Sequence, residues 1–228
     1  MPSTCASKPS SQRTGARLAA LACGLVWAFA VAVHAQAPQT GSADPSALLD
    51  GAVADFERGQ IDQSVATFNQ LIAVAPRAMP QLWQRGIALY YAGRYDDCRK
   101  QFEAHRTVNP DDVENAAWHY LCVARAESPA RAKAALLPVG PDARVPMKQV
   151  YELFKGAMTP EQVMSAGGTS LSGQFYAHLY LGLYYEAMGD ANRARAALET
   201  AANDRFRSSG GYMHMVARVH VARLGARR

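Results

Sequence analysis

Residues 83–110 read WQRGIALYYAGRYDDCRKQFEAHRTVNP, and the order of glycine, aromatic and proline residues in this stretch decides the fold. Three of these residues have a counterpart 34 positions earlier in the chain: Gly93 with Gly59, Phe102 with Phe68, and Pro110 with Pro76. The same order returns from Gly189, with Leu198 at the aromatic place. Each block has one helical segment before its glycine and one after it. The sequence therefore predicts helical hairpins that recur at a fixed interval.

Each position in the interval has a physical role. Glycine suits the end of the first helix because it adopts the left-handed backbone conformation there. Proline stops the second helix, since the residue before it is biased away from helical geometry. Small residues in both helices of a hairpin would let the two backbones approach closely. The expected small-residue contacts are Ser64 with Ala52, Cys98 with Gly86, and Ala194 with Gly182.

The stretch 83–110 resembles a tetratricopeptide repeat (TPR), with matches at Gly86, Tyr90, Gly93-Arg94-Tyr95, Phe102 and Asn109-Pro110. The resemblance implies an all-α fold. We expect a right-handed α-solenoid of TPR helix hairpins, with an irregular helical insert and a C-terminal capping helix. The expected TPR domain covers 47–228, with repeats at 45–78, 79–112 and 175–208, a degenerate repeat at 113–146, an insert at 147–174 and a cap at 211–224.

The first residues are typical of an export signal. Lys8, Arg13 and Arg17 form a basic region without acids, and an apolar run from Leu18 to Val33 follows. This run is short for a bilayer span but suits a secretory signal, with cleavage expected after Ala35. We therefore predict a signal peptide at 1–35, a linker at 36–46, and a periplasmic or secreted protein with no integral membrane span after cleavage. An uncleaved anchor facing the periplasm and a mitochondrial transit peptide are the alternatives.

The charge distribution and the cysteine content further narrow the class of protein. Residues 44–127 carry 8 basic and 12 acidic side chains, whereas residues 189–228 carry 8 basic and 3 acidic ones. This unequal distribution, with a small net charge after export, is not typical of a nucleic-acid-binding protein. Beyond the signal, Cys98 and Cys122 could form a disulfide in an oxidising compartment, or both could be small buried side chains. The sequence leaves these two possibilities open.

The resemblance also implies where a partner would bind. In TPR proteins the first helix of each hairpin lines a concave groove. The expected partner-binding groove residues are Phe56, Trp83, Ile87, Tyr90, Tyr91, Leu121 and Arg125. Either a partner's helix or extended peptide lies on this strip, or the insert's own helix near 147–154 fills it. In the second case the binding surface would lie elsewhere, for instance on the basic C-terminal tail.

No pattern in the sequence indicates catalysis. The histidines at 105, 119, 178, 214 and 220 lack metal-ligand spacing, and Cys98 and Cys122 are too far apart for a CxxC motif. We therefore expect no enzyme activity, no catalytic or metal site and no cofactor. The arrangement is similar to that of NlpI-like envelope adaptors, which gather cell-wall enzymes. The resemblance implies a protein-binding adaptor; the alternative is a structural subunit or a self-associating component of an envelope or secretion assembly, with a homodimer possible.

Overall fold

A computed structural model describes residues 43–226, and all regular secondary structure in that range is helical. The predicted all-α fold of packed helix pairs is confirmed. The eleven α-helices of this range are α1 (Pro45–Glu57), α2 (Ile61–Val74), α3 (Trp83–Tyr91), α4 (Tyr95–His105), α5 (Val113–Ala126), α6 (Pro129–Ala134), α7 (Met147–Lys155), α8 (Pro160–Gly167), α9 (Leu171–Ala187), α10 (Ala191–Ala201) and α11 (Arg207–Ala226). Short 3₁₀ turns occupy Pro76–Gln81 and Asp204–Phe206. The predicted signal peptide lies outside the described residues.

Three hairpins, α1–α2, α3–α4 and α9–α10, share one turn geometry. In each the first helix ends just before a glycine with positive φ: 75° at Gly59, 75° at Gly93 and 83° at Gly189. This left-handed conformation is strained for residues with a Cβ, which explains why glycine recurs at the same place. The turn reverses the chain within a few residues, so the two helices of each hairpin pack side by side.

The expected small-residue contact is present in the first hairpin, whereas Gly86 and Gly182 have different nearest neighbours from those expected. A Cβ at Gly86 would lie 2.6 Å from the ring of Phe102, and one at Gly182 would lie 2.5 Å from Leu198. The expected contacts with Cys98 and Ala194 are therefore not the nearest ones. A large side chain four residues further along the second helix fills the space that the glycine leaves free. In the first hairpin the hydroxyl of Ser64 donates to the Ala52 carbonyl at 2.8 Å.

The stretch after α5 departs from the hairpin pattern. Helix α6 has only 6 residues, and it is followed by an irregular segment up to α7. Helix α7 packs against α5 and α9, and α8 packs against α7 and α9; Phe154 of α7 and Val163 of α8 belong to the apolar core. The ring of Phe154 in α7 lies 4.8 Å from that of Tyr120 and 5.6 Å from that of Tyr184. The two short helices of the insert thus fill the space between α5 and the α9–α10 hairpin.

Helix α11 follows an unexpected course because its backbone breaks at Gly211, where φ is 51° and ψ is −127°. Beyond the break the helix packs on α9 and α10 and reaches back to α1. Tyr212 lies 6.2 Å from Phe56 and 4.8 Å from Trp83, measured between ring centroids. The last helix therefore contacts the first helices of both N-terminal hairpins. None of the helices between residues 43 and 226 has the length and hydropathy needed to cross a bilayer.

Candidate functional site

The seven residues predicted to line the groove fall into two groups. Five of them are buried: Phe56, Ile87, Tyr90, Tyr91 and Leu121. Trp83 is half-buried and Arg125 is exposed. Only the last two present substantial surface to a partner in this structure.

Helix α11 covers the middle of this aromatic strip. The Tyr91 hydroxyl lies 2.9 Å from Nδ1 of His220, and the Arg223 guanidinium donates to the Tyr91 carbonyl at 3.0 Å. Neither arrangement left open by the sequence therefore describes the strip here. The insert's helix α7 packs on Tyr120 and Tyr184 instead, and the C-terminal helix takes the place expected for a partner. Beyond the break at Gly211, α11 packs on α9 and α10 and also on α1.

A polar cluster joins α11 to α3 and α9. The carboxylate of Glu186 accepts a hydrogen bond from the Tyr90 hydroxyl at 3.3 Å and lies 3.6 Å from Nε2 of His220. Burial acts to raise the pKa of Glu186, but His220, Arg125 and Tyr90 outweigh burial and hold it below its usual value. Burial and the Glu186 charge raise the pKa of Tyr90. This cluster holds α3, α9 and α11 together, because its hydrogen bonds join side chains of different helices.

Three of the other four histidines, His105, His119 and His214, have separate local partners. His105 Nδ1 lies 2.8 Å from the Pro80 carbonyl, and His214 Nε2 lies 3.1 Å from the Asn203 carbonyl. His119 is buried and lies 3.4 Å from Glu103. In the described part of the chain, no group of three or more His, Cys, Asp or Glu side chains is placed to hold a metal ion.

Cys98 and Cys122 form a disulfide that joins α4 to α5, with a Cα–Cα distance of 5.9 Å. Both residues are fully buried. Of the two possibilities that the sequence left open, the structure therefore contains the covalent one. Phe102, one turn after Cys98 on the same face of α4, is the residue nearest to Gly86.

Sequence reasoning missed a cavity of about 190 Å³ at the amino-terminal ends of α3 and α5. Its lining combines aromatic, apolar and charged side chains: Trp83, Phe102, His105, Asp112, Glu114, Asn115, Trp118, Arg144 and Met213. Helices distant in sequence contribute to this set, and Arg144 comes from the irregular segment before α7. No periodic signal marks these residues as neighbours, so only the tertiary structure reveals the cavity.

Arg144 organises the charged rim of the cavity. Its guanidinium contacts the carboxylates of Asp112, Glu114 and Asp142. Burial raises the pKa of Glu114, although Arg144 and a hydrogen bond from Tyr180 act in the opposite direction. Hydrogen bonds from Arg144 and from the Val113 amide outweigh partial burial and lower the pKa of Asp142. The rim is thus a closed set of ion pairs that ties the irregular segment to α5.

Residues 176–204 match the family model of the tetratricopeptide repeat. These residues form most of α9 and α10, including the turn at Gly189, and they fall inside the repeat expected at 175–208.

Proposed function

We propose that this chain, which carries a tetratricopeptide repeat in α9 and α10, is a non-catalytic protein-interaction module of the bacterial cell envelope. The observation that carries the proposal is the occupancy of its aromatic strip by a helix. Phe56, Trp83 and Tyr91 hold α11 through ring contacts and a hydroxyl–imidazole hydrogen bond. A surface that binds a helix of its own chain has the shape and chemistry to bind polypeptide.

The partner contacts the edges of the strip, where α11 leaves side chains uncovered. Trp83 lies at one edge, half-buried against Tyr212. At the other edge the exposed Arg125 donates to the Tyr95 hydroxyl at 3.2 Å, with its guanidinium 5.6 Å from the centre of that ring. Tryptophan, tyrosine and arginine are the side chains that most often dominate binding energy at protein interfaces.

Two features support an envelope location, in the periplasm or outside the cell. The disulfide between Cys98 and Cys122 is of the kind that persists in oxidising compartments and is rare in the cytosol. The basic and apolar segment before residue 36 is typical of an export signal. The resemblance to NlpI-like adaptors suggests cell-wall enzymes as the partners.

Affinity capture from native envelope extract tests the proposal with the full chain as bait. We expect cell-wall enzymes to be recovered, and about tenfold less of them with the double variant Trp83→Ala/Arg125→Ala. Met188→Ala is the matched control, because Met188 is 51% exposed but lies at the α9–α10 turn, outside the strip. Circular dichroism checks that each variant is folded. Equal capture by all three baits, or recovery of proteins unrelated to the cell wall, would contradict the proposal.

A further inference from the structure

A cleft of about 380 Å³ lies between the C-terminal part of α11 and the turn that joins α1 to α2. We call it the arginine cleft, and its lining residues are Glu57, Arg58, Gly59, Met215, Arg218, Val219, Ala222, Arg223 and Ala226. None of the seven residues predicted for the partner-binding groove is among them. The arginine cleft is therefore a separate surface, outside both the aromatic strip and the cavity at the amino-terminal ends of α3 and α5.

The spacing of the α11 residues gives the arginine cleft an apolar stripe between two arginines. The stripe recurs at the helical interval that places residues on one face, and its members are Met215, Val219, Ala222 and Ala226. At about 100° per residue, Arg218 and Arg223 fall on opposite sides of that face. From residue 215 to residue 226 the stripe is about 16 Å long at the rise of an α-helix. An extended polypeptide of about five residues has the same length.

Arg218 gives the arginine cleft a positive charge that no neighbouring acid neutralises. Its side chain is exposed and forms no hydrogen bond or ion pair with any residue between 43 and 226. Asp204 is the acid whose pKa Arg218 helps to lower, but Arg207 lowers it more and is the residue that pairs with it. An approaching carboxylate therefore meets a guanidinium whose five N–H donors are all available.

The other two arginines of the cleft are only partly engaged. Arg58 donates through one terminal nitrogen to Asp55 at 2.6 Å, and Arg223 donates through one to the Tyr91 carbonyl at 3.0 Å. A guanidinium has five N–H donors, so both side chains keep donors for a ligand. Glu57 is the one acid among the lining residues, so three arginines and one glutamate give the lining a net charge of +2.

We propose that the arginine cleft binds an extended acidic segment of a protein partner. Side chains of an extended chain alternate between two sides, so apolar ones contact the stripe while carboxylates face the arginines. Carboxylates pair with guanidinium groups through strong, charge-assisted hydrogen bonds. This assignment rests on the proposed function, because the ligand is part of a protein partner.

Other occupants of the arginine cleft match its charge and shape less well. The segment that precedes α1 supplies no carboxylate, because residues 1–43 contain no Asp or Glu. Anionic lipid headgroups attract arginines that project from a surface, whereas Arg218 and Arg223 flank a recessed apolar stripe. A polypeptide with both acidic and apolar side chains matches the stripe and the arginines together.

Fluorescence anisotropy with the full chain tests this assignment with synthetic peptides. The probe is a short amidated peptide in which aspartate alternates with valine, labelled with tetramethylrhodamine; its matched control has asparagine in place of aspartate. We expect saturable binding of the acidic peptide, weakened about fivefold by Arg218→Gln and tightened about threefold by Glu57→Gln. Arg77→Gln is the control variant and should leave the affinity unchanged. Arg77 is also exposed and without a side-chain partner between 43 and 226, but it lies in the 3₁₀ turn Pro76–Gln81, outside the cleft.

Three results of the titrations would overturn the assignment. They are the absence of saturable binding up to about 1 mM peptide, equal binding of the asparagine peptide, and an equal loss of affinity in Arg218→Gln and Arg77→Gln. The last result would mean that the net charge of the chain, rather than the cleft, attracts the peptide.

Two further measurements test the other occupants. Binding to phosphatidylglycerol vesicles that Arg218→Gln abolishes, without peptide binding, would assign the cleft to a lipid surface instead. A dimer in analytical ultracentrifugation that Arg218→Gln dissociates would assign it to a second copy of the chain. Peptide binding together with failed capture from envelope extract would count against the proposed function alone, whereas capture without peptide binding would count against the arginine cleft alone.

Discussion

At the scale of single residues, the close packing of α3 against α4 depends on the absence of a side chain at Gly86. A Cβ there would lie 2.6 Å and 2.7 Å from two ring atoms of Phe102, which is itself buried and stacked on Trp118. The ring is stacked on Trp118 on one side, so it can give way only toward the cavity that it lines. We therefore predict that Gly86→Ala lowers the free energy of unfolding by about 1–3 kcal/mol, through overpacking.

Gly51→Ala is the matched control for that substitution. Gly51 also lies inside a helix, but the nearest heavy atom to an added Cβ is Thr67 Cγ2 at an ordinary 3.8 Å. The substitution should raise the free energy of unfolding by about 0.5–1 kcal/mol, because alanine favours the helix. Urea unfolding at constant pH measures the free energy of unfolding of both variants. If the two variants changed stability equally, close packing at Gly86 would not be the cause.

At the residue scale, prediction from the sequence succeeded where the backbone conformation alone determines which residue is suitable. Gly59, Gly93 and Gly189 take the left-handed conformation that their position after a helix indicated. The nearest neighbour of Gly86 is Phe102 rather than the expected Cys98, because the repeat fixes which residues are small but not which turn of the second helix lies over the glycine. Phe102, four residues after Cys98 on the same face of α4, lies over the glycine, while Cys98 is bonded to Cys122 in α5.

At the scale of helices, Glu186 is the charged residue that fastens α11 to α3 and α9. Its pKa is below the usual value, despite burial, because of His220, Arg125 and Tyr90. A lowered carboxyl pKa stabilises the folded state above the unfolded pKa of about 4.3, and this stabilisation is lost as the pH falls through the folded pKa. We predict that Glu186→Gln costs about 2 kcal/mol at pH 7 and much less near pH 3.

Thermal unfolding of the wild type and of Glu186→Gln, each at neutral and acidic pH, measures this difference. The raised pKa of Glu114 favours the folded state as the pH falls, but it is present in both proteins and cancels in the comparison. Glu199→Gln serves as control, because Glu199 is an exposed carboxylate on α10 paired with Arg195. A Glu186→Gln effect of the same size at both pH values would show that lost packing, rather than the charge, is responsible.

The helices themselves were more predictable than their contacts. Turn glycines, prolines and apolar periodicity marked the hairpins because these signals are local in sequence. For the candidate groove, the sequence indicated a strip of residues but not the helix that covers it. Phe56 and Tyr91 lie under α11, which contacts them across more than 120 residues of sequence, as in the Tyr91–His220 pair. The cavity was missed for the same reason, since Arg144 meets Glu114 only after the chain has folded.

At the scale of the whole molecule, the backbone breaks at Gly211, just before the part of α11 that covers the aromatic strip. Gly211 has φ of 51° and ψ of −127°, and beyond it α11 runs back to α1. This course brings a basic helix onto the aromatic faces of α1 and α3, where Arg223 donates to the Tyr91 carbonyl. Its apolar residues, such as Met213 and Val216, are buried there. The last helix therefore covers Phe56 and Tyr91, two of the predicted groove residues.

The position of Gly211, just before the covering part of α11, gives the prediction for the molecule as a whole. A Cβ at Gly211 would meet no atom within 4 Å, so Gly211→Ala creates no clash and changes only the backbone energy. Because side-chain-bearing residues rarely adopt this conformation, we expect a cost of about 1–3 kcal/mol and faster amide hydrogen exchange in residues 212–226. Gly225→Ala, in the same helix and equally free of contacts, should leave exchange unchanged. The same exchange experiment reports on Phe56 and Tyr91: if α11 is the cover of the strip, their helices gain exchange in the Gly211→Ala variant. Unchanged exchange in α1, α3 and α11 of that variant would mean that the break does not hold α11 over the strip.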